Sequence, residues 1–302
     1  MATEQEEIRE TMTARLGSFT DRLGSLQQSH LNSLLERRRY LASDTALFDP
    51  LGHPVVVIGS WISRTDDPLS DTQLDIAESS LLGYLHVRLQ DDHLDDGTDR
   101  PDAVMMLGDA LIARHSALLA RHVSSTVFWN AFEELWTNYG EAMLYERSLI
   151  ESNAVRTAED FDRLLHRSRP LSIPGLAALA VEDRLAEAPH VMDLVTGIIR
   201  SGQLVTDLMD APADLESGRH TWIVERLDGR QGASALKRAM VREFDGILAE
   251  AAAALDSAAN AADELAASRA THWIDQRRER LADLQATFFE GLFSPLLSRH
   301  EE

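Results

Sequence analysis

The chain has 302 residues, 44% of them hydrophobic and 26% charged, with only 9 prolines and 16 glycines, which suits one large compact helical domain or two small ones better than a disordered or β-rich chain. Fifty acidic residues against 29 basic ones leave a net charge of −21, which argues against nucleic acid as a partner, because binding a phosphate backbone needs a basic surface. The absence of cysteine excludes disulfides and thiolate metal sites.

Helical periodicity dominates from the start. Residues 5–42 carry Ile8, Met12, Leu16, Leu23, Leu26, Leu31, Leu34 and Leu35 at helical spacing. Pro54 stands where it can open a helix through Val55–Ile58 and Trp61. Asp66-Asp67-Pro68 reads as a turn. A helix from about Asp71 runs into an acidic string, and others are predicted over 102–122 and 125–150. Shorter helices over 157–169 and 171–187 are broken at Pro170 and Pro174. Pro189 starts a helix through Asp210, and Ala-rich helices fill 231–295. No alternating strand pattern, fixed-period repeat or Gly/Ser linker interrupts this series. The expectation is one all-α domain over residues 1–302. The amino terminus lacks the basic and apolar segments of a secretory signal. The longest apolar run, Leu171–Val181, falls short of the roughly 20 residues that span a bilayer. A soluble cytoplasmic protein with no integral membrane segment is expected. Basic residues are almost all arginine, Lys237 being the only lysine, which reads as a composition bias.

The most informative segment is Asp91-Asp92-His93-Leu94-Asp95-Asp96, followed by Arg100-Pro101 and by Leu107-Gly108-Asp109-Ala110-Leu111. Asp91 and Asp95 project from one helical face, as do Asp92 and Asp96. Like charges at that spacing destabilise a bare helix, and a divalent cation would relieve them. Magnesium prefers carboxylate oxygens, water and substrate phosphates, so an Asp-Asp-x-x-Asp array can hold it against a diphosphate. An EF-hand loop fits poorly, because Leu94 would fall on its third ligand position.

A second acidic segment runs from Gln203 through Thr206, Asp207, Asp210 and Asp214 to Gly218-Arg219. Thr206, Asp210 and Asp214 share one helical stripe, and Pro212 stands where it can kink or end that helix.

The string LQDDHLDDGTDRPDAVMMLGDAL resembles the first aspartate-rich motif of the trans-prenyl diphosphate synthases. That resemblance implies an all-α class I isoprenoid synthase bundle around a central active-site cavity. It implies Mg2+ as cofactor, three ions with bound diphosphate, and a homodimer. It casts Asp91, Asp92 and Asp95 as metal ligands and Arg100 as the residue gripping an allylic diphosphate. The second segment is similar to the family's Gln-Ile-x-Asp-Asp-x-x-Asp motif through Gln203, Asp207 and Asp210, with Thr206 replacing an aspartate. Asp214-Leu-x-x-Gly-Arg-x-Thr-Trp is similar to the family's Asp-Leu-x-x-Gly-Lys-x-Thr. Without the loop between those two parts, the spacing also looks like squalene and phytoene synthases and the terpene cyclases. The resemblance thus assigns Asp207, Asp210 and Asp214 to metal, and Gln203 and Arg219 to diphosphate. Arg167, before Ser168-Arg169, falls where the family carries a diphosphate-contacting Lys-Thr pair.

Two family features are missing, and both serve isopentenyl diphosphate. Pro101 replaces the second arginine. Only Gly52-His53-Pro54 stands near the family's Gly-Lys-Arg-x-Arg-Pro, with Arg37-Arg38-Arg39 upstream. The residues kept are those for one allylic substrate. The reading is therefore a terpene synthase that ionises one allylic diphosphate, farnesyl to geranylfarnesyl, and cyclises or deprotonates the cation. Trp61, Tyr84, Phe128, Trp129, Phe132, Trp136 and Trp222 are candidates for an aromatic cavity wall, although core packing explains each as well. Gly83 and Val87, small residues before Asp91, point to a deep pocket there. A chain-elongating or head-to-head prenyltransferase is the alternative. Two further options are a non-catalytic partner subunit with the same fold and a metal-dependent hydrolase of other phosphates.

Overall fold

The computed structural model describes residues 2–37, 54–65, 67, 69–96 and 100–297, with the side chains of all of these except 2–6, 37, 55, 94–96 and 288–297. Arg38, Arg39, Gly52, His53, Asp66, Pro68 and Gly97 lie outside the described residues, as do the side chains of Arg37, Asp95 and Asp96. Among the described residues every regular element is a helix, as the periodicity predicted. The α-helices are α1 (Ala2–Thr20), α2 (Ser25–Arg37), α3 (Ile58–Ile62), α4 (Asp71–Asp96), α5 (Pro101–Leu119), α6 (Thr126–Ser152), α7 (Ala158–Leu164), α8 (Ile173–Val181), α9 (Ala188–Glu216), α10 (Trp222–Arg226), α11 (Ala233–Glu264) and α12 (Ser268–Leu297). No helix among the described residues is long and apolar enough to cross a membrane.

Two boundaries differ from the periodicity. The helical spacing read over 5–42 is divided between α1 and α2 by a turn at residues 21–24, where the amides of Arg22 and Leu23 bond back to Phe19 and Thr20. Pro170 does not break the chain. It sits inside a 3-10 helix, Leu165–Ser172, that leads straight into α8, where Pro174 occupies the first turn and its missing N–H costs nothing.

Packing divides the chain into two compact units, Met1–Phe132 with Pro170–Val191 and Glu133–Arg169 with Met192–Glu302. The core of the first is built on α4, which packs most extensively against α5. Leu81, Leu82, Leu85 and Leu89 of α4 meet Leu107, Leu111 and Leu118 of α5, with Met12, Leu16 and Phe19 of α1 and Leu31, Leu34 and Leu35 of α2 closing over them. The two central helices also exchange histidines for glycines. The His115 ring lies against Gly83, and the His86 ring against Gly108, whose carbonyl bonds His86 Nδ1 at 3.1 Å.

Further toward the start of α4, two buried carboxylates tie three helices together. Arg15 of α1 donates to Asp75 at 2.6 Å and to Glu78 at 2.9 Å, while Arg114 of α5 reaches Glu78 at 2.8 Å. Arg121 and His122 complete the shell of Asp75. Burial would push the Asp75 carboxyl up, but hydrogen bonds from Arg15, His122 and Arg121 outweigh it and hold the group below its ordinary range.

The second unit is built from α7, α9, α10 and α11, whose apolar faces bury Phe161, Leu204, Leu208, Ile223, Val224, Phe244, Ile247 and Ala251. The Ala-rich segment of α11 gives that helix a flat face. Gly197 of α9 comes so close to it that a methyl group there would meet the Ala254 carbonyl at 2.5 Å.

Candidate functional site

The first acidic motif forms the last turns of α4. Asp92 is buried and Asp91 half-buried. One turn back on the same helix, Arg88 answers both: its Nη1 lies 3.0 Å from Asp91 Oδ2 and its Nη2 3.7 Å from Asp92 Oδ1. The like-charge repulsion expected of this segment is thus met by a cation from the protein itself, a residue the motif reading did not single out. The backbone of Asp95 belongs to α4; its side chain lies outside the described residues.

Arg100 is the residue before α5, and Pro101 opens that helix. Pro101 therefore has a structural role at the very position where the resembled family carries its second arginine. The exposed Arg100 guanidinium makes a two-pronged contact with Asp102, Nε to Oδ1 at 3.0 Å and Nη2 to Oδ2 at 2.8 Å.

The second unit holds an open cleft lined by residues from four α-helices, the 3-10 helix Leu165–Ser172 and two loops. Glu146 comes from α6, Arg156 from the loop after it, Phe161 and Leu164 from α7, Gln203 and Asp207 from α9, and Trp222 from the start of α10; Leu165, Arg167, Ser168 and Thr221 complete the lining. Three residues chosen from the sequence, Arg167, Gln203 and Asp207, meet here. Gln203 Nε2 donates to Asp207 Oδ1 at 2.6 Å, one helical turn apart. Arg167 Nη1 donates to Glu146 Oε2 at 2.7 Å. Burial pushes the Asp207 carboxyl up to about 6, against the pull of the Gln203 hydrogen bond and the Arg167 charge and with help from Asp214 and Glu146.

Local sequence explains the frame around this cleft. Thr157 caps α7 in a reciprocal box, its hydroxyl accepting from Asp160 N and the Asp160 carboxylate accepting from Thr157 N. Thr221 caps α10 by a single bond, its hydroxyl accepting from Val224 N, and so places Trp222 at the rim. Trp222 packs on Phe161 with ring centroids 4.9 Å apart, making the apolar side of the cleft.

The rest of the second motif is arranged differently from the stripe read off the sequence. Helix α9 continues through Pro212 to Glu216, so Pro212 does not end it before Asp214. Thr206 and Asp210 are exposed, whereas Asp207 and Asp214 are half-buried and interact electrostatically. The inward series is thus 203, 207 and 214 rather than 206, 210 and 214. After α9, Gly218 adopts φ +74°, and Arg219 returns toward Asp214, its Nε 4.0 Å from Oδ1.

The expected aromatic wall lies elsewhere in the packing. Phe128, Trp129 and Phe132 form one cluster with centroids 5.1–6.2 Å apart, and Phe132 stacks on His115 at 5.3 Å. Trp61 is buried in α3, Tyr84 packs against the α4–α5 core, and Val87 is half-buried. Trp136 meets Tyr139 at 5.5 Å. Of the aromatic residues named from the sequence, Trp222 lines the cleft described above. The space beside Gly83, read as a pocket, is taken by the His115 ring at 3.4 Å.

The carboxylate oxygens of Asp91, Asp92 and Asp207 are the donor type that Mg2+ favours. Among the described residues, no three His, Cys, Asp or Glu side chains come together as a ready-made metal cluster.

The described residues form an all-helical fold. It is similar to the crystal structure of a decaprenyl diphosphate synthase from Rhodobacter capsulatus, with a TM-score of 0.59 and 14% sequence identity over 90% of this chain and 99% of that one. At that identity the likeness concerns the fold alone. No protein-family profile and no curated protein matches the sequence.

Proposed function

We propose that the protein is a Mg2+-dependent class I terpene synthase that ionises one allylic isoprenoid diphosphate, farnesyl to geranylfarnesyl. The observation that carries this reading is the cleft of the second unit. It sets Arg167, Gln203 and Asp207 beside an apolar flank of Phe161, Leu164 and Trp222. A cationic and hydrogen-bonding side next to an aromatic one suits a substrate with an anionic head and a hydrocarbon tail.

In the reaction the allylic C–O bond breaks, pyrophosphate leaves with the electron pair, and a delocalised carbocation remains. Arg167 would donate to the departing oxyanion, its geometry fixed by Glu146. Gln203 holds the Asp207 carboxylate in one orientation. Asp91, Asp92 and Asp95 of the first unit, and Asp207 and Asp214 of the second with the more exposed Asp210, are the proposed metal ligands, and Mg2+ would supply neutralisation of the diphosphate charge. Arg100 and Arg219, both exposed, would supply further diphosphate contacts. Aromatic faces such as Phe161 and Trp222 favour a carbocation over water.

A second reading, a prenyltransferase, is supported by the likeness in fold to a decaprenyl diphosphate synthase. Against chain elongation stands Pro101, which begins α5 at the position of the second family arginine. The separating experiment is incubation with farnesyl, geranylgeranyl and geranylfarnesyl diphosphate in Mg2+, with and without isopentenyl diphosphate. Hydrocarbon or alcohol from a single allylic substrate supports the synthase. A longer diphosphate formed only with isopentenyl diphosphate, or a head-to-head product, favours the transferase. No pyrophosphate release from any of them would sink both and leave the non-catalytic partner subunit.

A further inference from the structure

Arg156 is the one buried arginine among the described residues, 7% exposed, and it lines the cleft of the second unit. Among those residues its guanidinium makes no hydrogen bond, and its ion pair to Glu146 is long, at 4.0 Å. Glu146 is engaged at short range elsewhere, by Arg167 at 2.7 Å. A guanidinium carries five N–H donors in a fixed plane, and removing it from water without acceptors is costly. Burial pulls the Arg156 pKa down, and the neighbouring Arg167 charge adds to that against the pull of Glu146. A built frame holds the residue in place. Arg230 Nη2 donates to the carbonyls of Asn153 and Ala154 at 3.3 and 3.1 Å, and Thr157 is locked into the cap of α7. The loop thus fixes Arg156 from both sides at the cleft, where its donors make no hydrogen bond and its nearest ion pair is the long one to Glu146.

We propose that Arg156 and Arg167 together form an oxyanion subsite in this cleft, and that the diphosphate group of a ligand supplies the acceptors Arg156 lacks. Planar N–H donors match phosphate oxygens in pairs, and the exchange of water for an oxyanion is most favourable where the guanidinium is already desolvated. Arg167 then stays shared between Glu146 and the ligand, and Arg156 acts as the main anchor. The inference deepens the isoprenoid-diphosphate reading without requiring turnover.

The test uses the full chain and inorganic pyrophosphate as probe, by calorimetry with Mg2+ and with chelator, beside farnesyl diphosphate and farnesol. Wild-type protein should bind pyrophosphate and farnesyl diphosphate but not farnesol. Arg156→Gln should lose about tenfold or more of the pyrophosphate affinity, and Arg156→Lys should recover part of it. A mapped arginine-modification experiment on the wild type needs no variant: pyrophosphate should protect Arg156 from phenylglyoxal. Absence of pyrophosphate binding in both conditions, unchanged affinity in a folded Arg156→Gln, or lack of protection would overturn the subsite. Arg156-dependent pyrophosphate binding with no product from any allylic diphosphate would uphold it while removing the synthase reading. Turnover with an unaffected Arg156→Gln would do the reverse.

Discussion

The imidazole of His115 fills the space that a side chain at Gly83 would occupy, its Cε1 3.4 Å from the position of a Cβ there. A buried ring placed in this way cannot be hydrated, and burial pushes its pKa down to about 4, although the Ser79 carbonyl, 2.9 Å from Nδ1, partly opposes the shift.

Acid sensitivity follows from that ring. An unfolded histidine takes up its proton near pH 6.5, whereas folded His115 resists down to about pH 4. The stability it protects is complete above about pH 6.5 and drains away as pH falls toward 4. Urea unfolding should show a loss of up to about 2 kcal/mol between pH 7 and pH 5 from this group. His115→Gln, which keeps a polar group beside Ser79, should flatten that slope; an unchanged slope would mean that folding does not shift the proton affinity of His115.

Close approach at Gly197 should be equally sensitive to a single methyl group. A Cβ there would lie 2.5 Å from the Ala254 carbonyl and 2.9 Å from the Ala258 Cβ, both fixed parts of α11. Gly197→Ala should cost roughly 1–3 kcal/mol by overpacking. Gly140, inside α6 with nothing within 4 Å of a built Cβ, is the control. Gly140→Ala should gain roughly 0.5–1 kcal/mol, the helix preference for alanine. Thermal melts of the two variants should move in opposite directions.

Asp207 should show stability traded for function. Its carboxyl, ordinarily near 3.8, is raised to about 6 chiefly by burial. The proton held by the folded state favours folding fully below about pH 4, and that advantage is gone once pH has risen through 6. Ionised Asp207 is therefore a burden at pH 7, and Asp207→Asn should stabilise the protein there by about 1–3 kcal/mol. The same variant should lose pyrophosphate release from an allylic diphosphate. A variant that is less stable at pH 7 would show that Asp207 is well paired rather than strained.

Arg88 should set the Mg2+ requirement. Its contacts with Asp91 and Asp92 must loosen before those carboxylates can serve a cation. The pair is partly exposed, so the competition is worth about 1 kcal/mol. Arg88→Gln should lower the Mg2+ concentration for half-maximal pyrophosphate release by roughly fivefold. A rise in that midpoint would assign Arg88 to orienting the carboxylates instead.

Much of the fold could be read directly from the sequence because helices are local. The spacing of leucines in α4 and α5, the threonine caps of α7 and α10, and the aspartate repeats at 91–96 and 207–214 depend on residues within a turn or two of one another. Pro101 is a case where the sequence showed the change and the structure supplied its local consequence, a helix start. Pro212 is the opposite case. Its effect on α9 depends on whether the surrounding packing holds the last turn, and here the helix runs on to Glu216.

The candidate site was legible only in part. Arg167, Gln203 and Asp207 stood out through a motif, but Glu146, Arg156 and Phe161 belong to no pattern and become neighbours only when α6, α7 and α9 pack. The sequence by itself determined an all-helical chain with carboxylates in register on helix faces. Only the tertiary structure decided that Glu146 engages Arg167, that His115 closes the space at Gly83, and that Arg156 is buried without a hydrogen bond. The physical reason is that periodicity and capping act over a few residues, whereas burial and charge pairing depend on groups far apart in the chain.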